Sequence, residues 1–189
     1  MSHAANPPIR VTVYCAASPS LDKKYYQFAE ALGNELVSQG MELVYGGGGR
    51  GLMGALADAV LNAGGKVRGV IPNFMIDREW AHPKVKDLEL VNTMHERKTA
   101  MVAQCDAIVA LPGGCGTFEE LLEAFTWKRL DLIDKPIVVV NQDGYYNGLK
   151  ALFDHSVQEG FMAEDFLDYW QFVTTPKEAV EHIDRAVHR

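Results

Sequence analysis

The run Ala107-Ile108-Val109-Ala110-Leu111, followed by Pro112-Gly113-Gly114-Cys115-Gly116-Thr117-Phe118-Glu119-Glu120, decides the reading of the fold. The first five residues are continuously apolar and read as a buried strand. After the glycines, Leu121, Leu122, Phe125 and Leu130 recur at helical spacing. The pattern is strand, glycine turn, helix. Gly113, Gly114 and Gly116 let bare backbone N–H groups converge with no Cβ atoms in the way. Thr117 is the expected N-cap of the helix. Unpaired donors and the positive end of the helix dipole then favour a phosphate or carboxylate. The same residues admit a purely structural reading, because Thr117 and Glu120 have the spacing of a capping box. A capping box, however, does not require a glycine cluster before it. At about 100° per residue, Phe118, Leu121, Leu122 and Phe125 share one helix face, and Glu120, Glu123 and Trp127 share the other. That second face is expected to form a cleft wall, a subunit contact or an ordinary exposed surface.

Working outward, the chain alternates strands with helices. Strands are expected at Ile9 to Cys15, Met41 to Tyr45, Val67 to Ile71, Leu88 to Val91, Asp106 to Leu111, Pro136 to Val140 and Gln171 to Val173. Helices are expected from about Asp22 to Ser38, Leu52 to Asn62, Met94 to Gln104, Tyr146 to Glu159 and Pro176 to Val187, besides the one after the glycine turn. Near-continuous apolar strands separated by helices mean a parallel sheet covered on both faces. The expectation is an α/β, doubly wound, Rossmann-like single domain over residues 1–189, with residues 1–8 disordered. Ligands bind such sheets at the carboxyl ends of the strands. Three loops lie there: Ala16 to Ser20, Gly46 to Gly51 and Pro112 to Thr117.

Composition narrows the function. The 189 residues are 48% hydrophobic and 23% charged, with a formal net charge of −7, an ordinary soluble balance with no basic excess for nucleic-acid polymers. No apolar run approaches the roughly 18 residues of a membrane span. Three cysteines, an odd and sparse set, point to a reducing, cytoplasmic setting. Cys115 sits where a helix N-terminus would stabilise a thiolate, but no histidine lies near it to act as its base.

Several chemistries find no support. Gly46-x-Gly48-x-x-Gly51 formally matches a dinucleotide fingerprint, yet it follows the second strand, and the third strand ends Ile71-Pro72-Asn73 without the acid that would hold a ribose. There is no P-loop, no nucleophile elbow and no histidine or cysteine spacing for a metal. What remains is a phosphate cradle, carboxylates beside it, and the basic pair Arg97-Lys98. Arg97 falls early in its helix, where the dipole disfavours a cation, which hints at a role beyond stability. The alternative is a solvated surface arginine.

Gly46-Gly47-Gly48-Gly49-Arg50-Gly51-Leu52-Met53-Gly54, taken with Pro112 to Glu120, resembles the LOG ("Lonely guy") family of cytokinin-activating phosphoribohydrolases. The similarity spans roughly Val11 to Phe161 and includes Gly69-Val70-Ile71-Pro72, Met94-His95-Glu96-Arg97-Lys98, Thr126-Trp127 and Asp143-Gly144-Tyr145-Tyr146-Asn147. Members are often labelled lysine decarboxylases, but no motif for a pyridoxal-binding lysine is present. The resemblance implies hydrolysis of a nucleoside 5′-monophosphate, N6-prenylated for cytokinin activation, to free base and ribose 5-phosphate, with no cofactor or metal. It implies Arg97 and Glu120 as catalytic residues. It implies ligand contacts from Gly46, Gly47, Gly48, Glu79, Lys98, Gly113, Gly114, Cys115, Gly116, Thr117, Phe118, Glu119 and Thr126. Gly49-Arg50 departs from the Ser-Ile or Ser-Val usual in the first glycine loop, so Arg50 either contacts phosphate or points to solvent. A homodimer is implied as well.

The chemistry fits these roles. Cleaving an N-glycosidic bond builds positive charge on the ribose, which a carboxylate such as Glu120 stabilises, or it orients the attacking water. Arg97 would neutralise the leaving base or anchor the phosphate. Two other functions share the expected fold: a general nucleoside monophosphate nucleosidase, and a non-catalytic nucleotide or cofactor carrier.

Overall fold

The computed structural model describes residues 7–76, 78 and 80–188. Seven strands form one sheet: β1 (Arg10–Tyr14), β2 (Glu42–Tyr45), β3 (Val67–Pro72), β4 (Asp87–Val91), β5 (Ala107–Ala110), β6 (Ile137–Val140) and β7 (Gln171–Val173). Their order is β4-β3-β2-β1-β5-β6-β7 and every neighbouring pair is parallel. The helices are α1 (Lys23–Ser38), α2 (Gly51–Asn62), the short α3 (Asn73–Ile76), α4 (Met94–Ala103), α5 (Cys115–Arg129), α6 (Asn147–Gln158) and α7 (Pro176–Val187). Of the stretch expected to be disordered, residues 1–6 lie outside the described residues, and Pro7 and Pro8 are exposed and irregular.

Alternation along each strand builds two cores. Val11, Val13, Leu43 and Tyr45 face α1, α2 and α7, where they meet Leu32, Leu36, Leu56 and Ile183. Tyr14, Val44, Val70 and Ile108 face the other way and meet Met101, Leu121 and Phe125 of α4 and α5. Burial on both faces is why these strands read as unbroken apolar runs. The chain winds outward from β1 to β4, and α4 then returns it to β5 beside β1. The order therefore reverses between β1 and β5, and the loops after these strands diverge and leave a crevice.

Two local expectations are corrected. Helix α5 starts at Cys115 with Gly114 as its N-cap, so Thr117 lies inside the first turn and no side chain caps the helix. Thr117 is buried against Gly113, whose missing Cβ makes the room. The faces of α5 also differ from the projection. Glu120 is buried with Thr117, Leu121, Ala124 and Phe125, whereas Leu122 is 41% exposed. Of the three roles open to the Glu120 face, the structure gives Glu120 that of a cleft wall, because the inner face of α5 runs past the apolar core to a buried guanidinium.

The first glycine loop is held equally tightly. A methyl group on Gly54, in the first turn of α2, would overlap the Gly49 carbonyl, and Gly47 adopts φ +74° against Ile71. Gly54→Ala is expected to cost about 1–3 kcal/mol by overpacking. Thermal denaturation measures this, and an unchanged midpoint would show that the loop yields freely.

Candidate active site

A cavity of about 460 Å³ opens at the reversal point, above the carboxyl ends of the central strands. Four segments meet there. The loop after β1 contributes Ala16 to Pro19. The loop after β2 contributes Gly46, Gly48 and Arg50. The starts of α4 and α5 contribute Met94 and Arg97, and Gly114, Gly116, Thr117 and Glu120. One wall is apolar, formed by Met53, Ile71, Met75 and Trp80.

At the cavity's inner end Arg97 and Glu120 form an ion pair, Nη1 to Oε1 at 2.8 Å, both side chains almost wholly buried. Arg97 also donates from Nε to the Val70 carbonyl at 3.2 Å and from Nη2 to the Gly46 carbonyl at 3.2 Å. One hydrogen on each terminal nitrogen remains free for a ligand. The solvated-arginine reading does not hold. A methyl group at Gly46 would overlap this guanidinium, so the first glycine loop is glycine there to admit Arg97. Burial pushes the Glu120 carboxyl above its ordinary pKa, and the Arg97 guanidinium opposes this only in part.

The second glycine loop leaves donors open. The N–H groups of Cys115, Gly116 and Thr117 reach no acceptor among the described residues, as the first turn of a helix requires unless something caps it. Around Gly114 and Gly116 there is open space. The Thr117 hydroxyl, also without a partner among the described residues, lines the cavity beside them. Open N–H donors and a helix dipole of this kind favour an anion. Arg50 adds a cation on the cavity wall, and its side chain makes no hydrogen bond or ion pair among the described residues.

The other residues of the expected ligand set serve neighbouring structure. Gly47 backs the wall and Gly113 lies over Thr117. Cys115 is exposed in the first turn of α5, and Phe118 packs edge-on against Tyr146 at 6.2 Å. Lys98 is buried between α4 and α5, 2.6 Å from Glu119 and 3.1 Å from Glu123. Thr126 is exposed and donates to the Leu122 carbonyl at 2.9 Å. Glu79 lies outside the described residues.

The apolar wall was not foreseen. Trp80 belongs to a strap that crosses the first glycine loop through Gly49 N–H to Trp80 O and His82 N–H to Gly47 O, each 2.9 Å. His82 is buried, with Nε2 3.7 Å from Asp58 of α2. Met53, Met75, Trp80 and Met94 come from separate segments, so no spacing in the sequence could link them. The one legible signal was that loops ending β1 and β2 share the sheet edge. Among the described residues no group of three or more His, Cys, Asp or Glu could hold a metal ion, and no helix is long and apolar enough to cross a membrane.

The chain is similar to known proteins. A family profile described as "Possible lysine decarboxylase" matches residues 53–183. The probable cytokinin riboside 5′-monophosphate phosphoribohydrolase LOGL2 of Oryza sativa subsp. japonica is 45% identical over 175 residues, covering 93% of this chain and 72% of the relative. LOG3 of Arabidopsis thaliana, a cytokinin riboside 5′-monophosphate phosphoribohydrolase, is 43% identical over 175 residues, with 93% and 81% covered. The chain belongs to the LOG family. Among solved structures, the molybdenum cofactor carrier protein of Chlamydomonas reinhardtii superposes with a TM-score of 0.74 over 97% of this chain and all 100% of that one. At 17% identity this shows a shared fold alone. The LOG-family stretches converge on the cavity: Gly46 to Gly54 forms one side, Pro112 to Glu120 another, and Met94 to Lys98 delivers Arg97.

Truncating Arg97 strands a buried carboxylate and two carbonyls. Arg97→Ala is expected to destabilise the fold by about 3–5 kcal/mol at neutral pH. Without the guanidinium, the folded pKa of Glu120 rises further above its unfolded value. The penalty is therefore full above the folded pKa and fades as the pH falls through it towards the unfolded value. Urea denaturation at several pH values measures both effects. A pH-independent loss would mean that the lost hydrogen bonds, not the stranded charge, carry the cost.

Proposed function

We propose that this LOG-family chain hydrolyses the N-glycosidic bond of N6-prenylated adenosine 5′-monophosphate, releasing the free base and ribose 5-phosphate. One observation carries the reading: the buried Arg97–Glu120 pair lies in the same cavity as the open N–H donors of α5. The two parts match the two ends of a nucleotide's ribose. The 5′-phosphate takes the donors of Cys115, Gly116 and Thr117, which no side chain caps. C1′ then lies towards Glu120 and the base extends along the wall of Met53, Met75 and Trp80. That wall suits an adenine bearing an apolar N6 substituent.

In the reaction, the C1′–N9 bond breaks with its electron pair leaving on the base. The buried Glu120 carboxylate stabilises the cationic ribose and orients the water that bonds to C1′. The proton lost by that water passes to the departing base. Arg97 holds Glu120 in place and offers its remaining donors to the developing charge. The activity does not call on a cofactor. The decarboxylase wording of the family profile finds no counterpart, since no lysine lines the cavity and Lys98 is paired with Glu119 and Glu123 outside it. We further propose a homodimer through the outer face of α5, supported by the exposed Leu122 beside Thr126, and a cytoplasmic setting, supported by the free thiols of Cys15, Cys105 and Cys115.

Incubation with isopentenyladenosine monophosphate, AMP and both dephosphorylated nucleosides tests the reading by released base. Release chiefly from the prenylated monophosphate supports it. Release mainly from AMP indicates a general nucleosidase, and binding without release indicates a carrier. Glu120→Gln is expected to lower kcat by roughly two orders of magnitude or more while nucleotide still binds. Because Glu120 must be ionised and burial raises its pKa, the acid limb of kcat should lie above the usual carboxylate range. Arg50→Ala should raise KM for the monophosphate about three- to tenfold, an effect that shrinks with added salt. No change in KM would place Arg50 in solvent.

A further inference from the structure

The turn Asn141 to Tyr146 lies between β6 and α6 and lines no part of the cavity, yet it sends two phenol hydroxyls to the second glycine loop. Tyr146 Oη donates to the Leu111 carbonyl at 2.7 Å, and Tyr145 Oη donates to the Gly113 carbonyl at 2.5 Å. The bonds fall on either side of Pro112. Tyr146 is fully buried, and its place follows from core packing. Tyr145 is different, because it is 40% exposed and its hydroxyl is not needed to fill any core.

The peptide that Tyr145 holds is Gly113–Gly114. With glycine on both sides, no Cβ restricts its rotation, so sterics alone do not choose the direction in which it faces. In a trans peptide the C=O and the following N–H point in opposite directions. A hydroxyl that fixes the Gly113 carbonyl on the Tyr145 side therefore turns the Gly114 N–H away from Tyr145. Gly114 lines the cavity and its N–H reaches no acceptor among the described residues. We propose that Tyr145 is a positioning residue for the phosphate cradle, its hydroxyl setting the plane of the Gly113–Gly114 peptide so that the Gly114 N–H is aimed at the ligand before binding.

The turn is built to deliver this contact. Asp143 has φ +51° and Gly144 φ +76°, two consecutive left-handed residues that reverse the chain directly before Tyr145. Asn141 Oδ1 accepts from the Tyr146 N–H at 2.7 Å, and Asn141 Nδ2 donates to Asn147 Oδ1 at 2.8 Å, closing the turn on itself. The Tyr145 ring packs edge-on against Tyr25 at 6.3 Å, and Lys24 bridges to Asp143 at 2.9 Å, which ties the turn to the start of α1. Partial burial pushes the Tyr145 phenol up, so it is a protonated donor at neutral pH.

The proposal rests on the reading of this loop as a phosphate site. If Tyr145 presets the peptide, removing the hydroxyl lowers the fraction of molecules competent to bind, and affinity falls by that fraction. Tyr145→Phe keeps the ring and its packing. It is expected to weaken binding of ribose 5-phosphate and to raise KM for the nucleotide by the same factor, about five- to tenfold for one lost hydrogen bond. kcat should hold, because Glu120 and Arg97 are untouched. Calorimetric titration with ribose 5-phosphate and steady-state kinetics read the two effects, with Tyr169→Phe, remote from the cavity, as the control. Matched rises in Kd and KM at constant kcat support the proposal. Tyr145→Phe with wild-type Kd and KM overturns it, as does a lowered melting temperature with unchanged KM. Wild-type protein that fails to bind ribose 5-phosphate at all would instead overturn the phosphate-site reading itself.

Discussion

The ion pair of Arg97 with Glu120 is the constraint around which the rest is arranged. A buried guanidinium is tolerable only if its donors are matched, and here a carboxylate and two backbone carbonyls match them. Those partners come from α5, from β3 and from the loop after β2. One side chain on α4 thus fastens both halves of the doubly wound sheet at the point where the strand order reverses. The pair adds little net stability, since desolvation opposes attraction. It does determine where each surrounding loop must lie.

That arrangement explains the glycines. Gly46 is bare because Arg97 occupies the space a side chain would need, and Gly113 is bare because Thr117 lies beneath it. Gly114 and Gly116 have no such neighbours, and their openness is towards the cavity. The two loops therefore contain glycine for two different reasons: close packing in one set, ligand access in the other. Under the proposed function, phosphate recognition would require no dedicated basic cluster, which suits a chain of net charge −7.

The cavity has two walls of different character. The polar wall is preorganised by ion pairing and by hydroxyl contacts from outside the cavity. The opposite wall is made of methionines and a tryptophan carried on a strap, pinned to the first glycine loop by backbone bonds. Methionine side chains adapt their shape at low cost, so under the proposed function this wall would accommodate an apolar base substituent without reshaping the reactive end.

The sequence by itself determined the strand and helix order, the parallel sheet and the glycine loops at the carboxyl edge of its strands, whereas the crevice at the reversal point followed only from the strand order. The elements and loops follow from local periodicity, which is written within each segment. The sequence also drew attention to Arg97, through a cation at the wrong end of a helix, and to Glu120, through the glycine run before it, while the pairing of the two as catalytic residues came from the family resemblance. Only the tertiary structure decided that the two are paired and buried, that Thr117 is no cap, and that Lys98 and Glu119 satisfy each other outside the cavity. It alone assembled Met53, Met75, Trp80 and Met94 into a wall and brought Tyr145 onto the Gly113 carbonyl. Each of these depends on contacts between segments far apart in the chain. Whether a polar side chain faces water or a buried partner is settled by what the fold places opposite it, and no property of the residue or its neighbours in sequence records that.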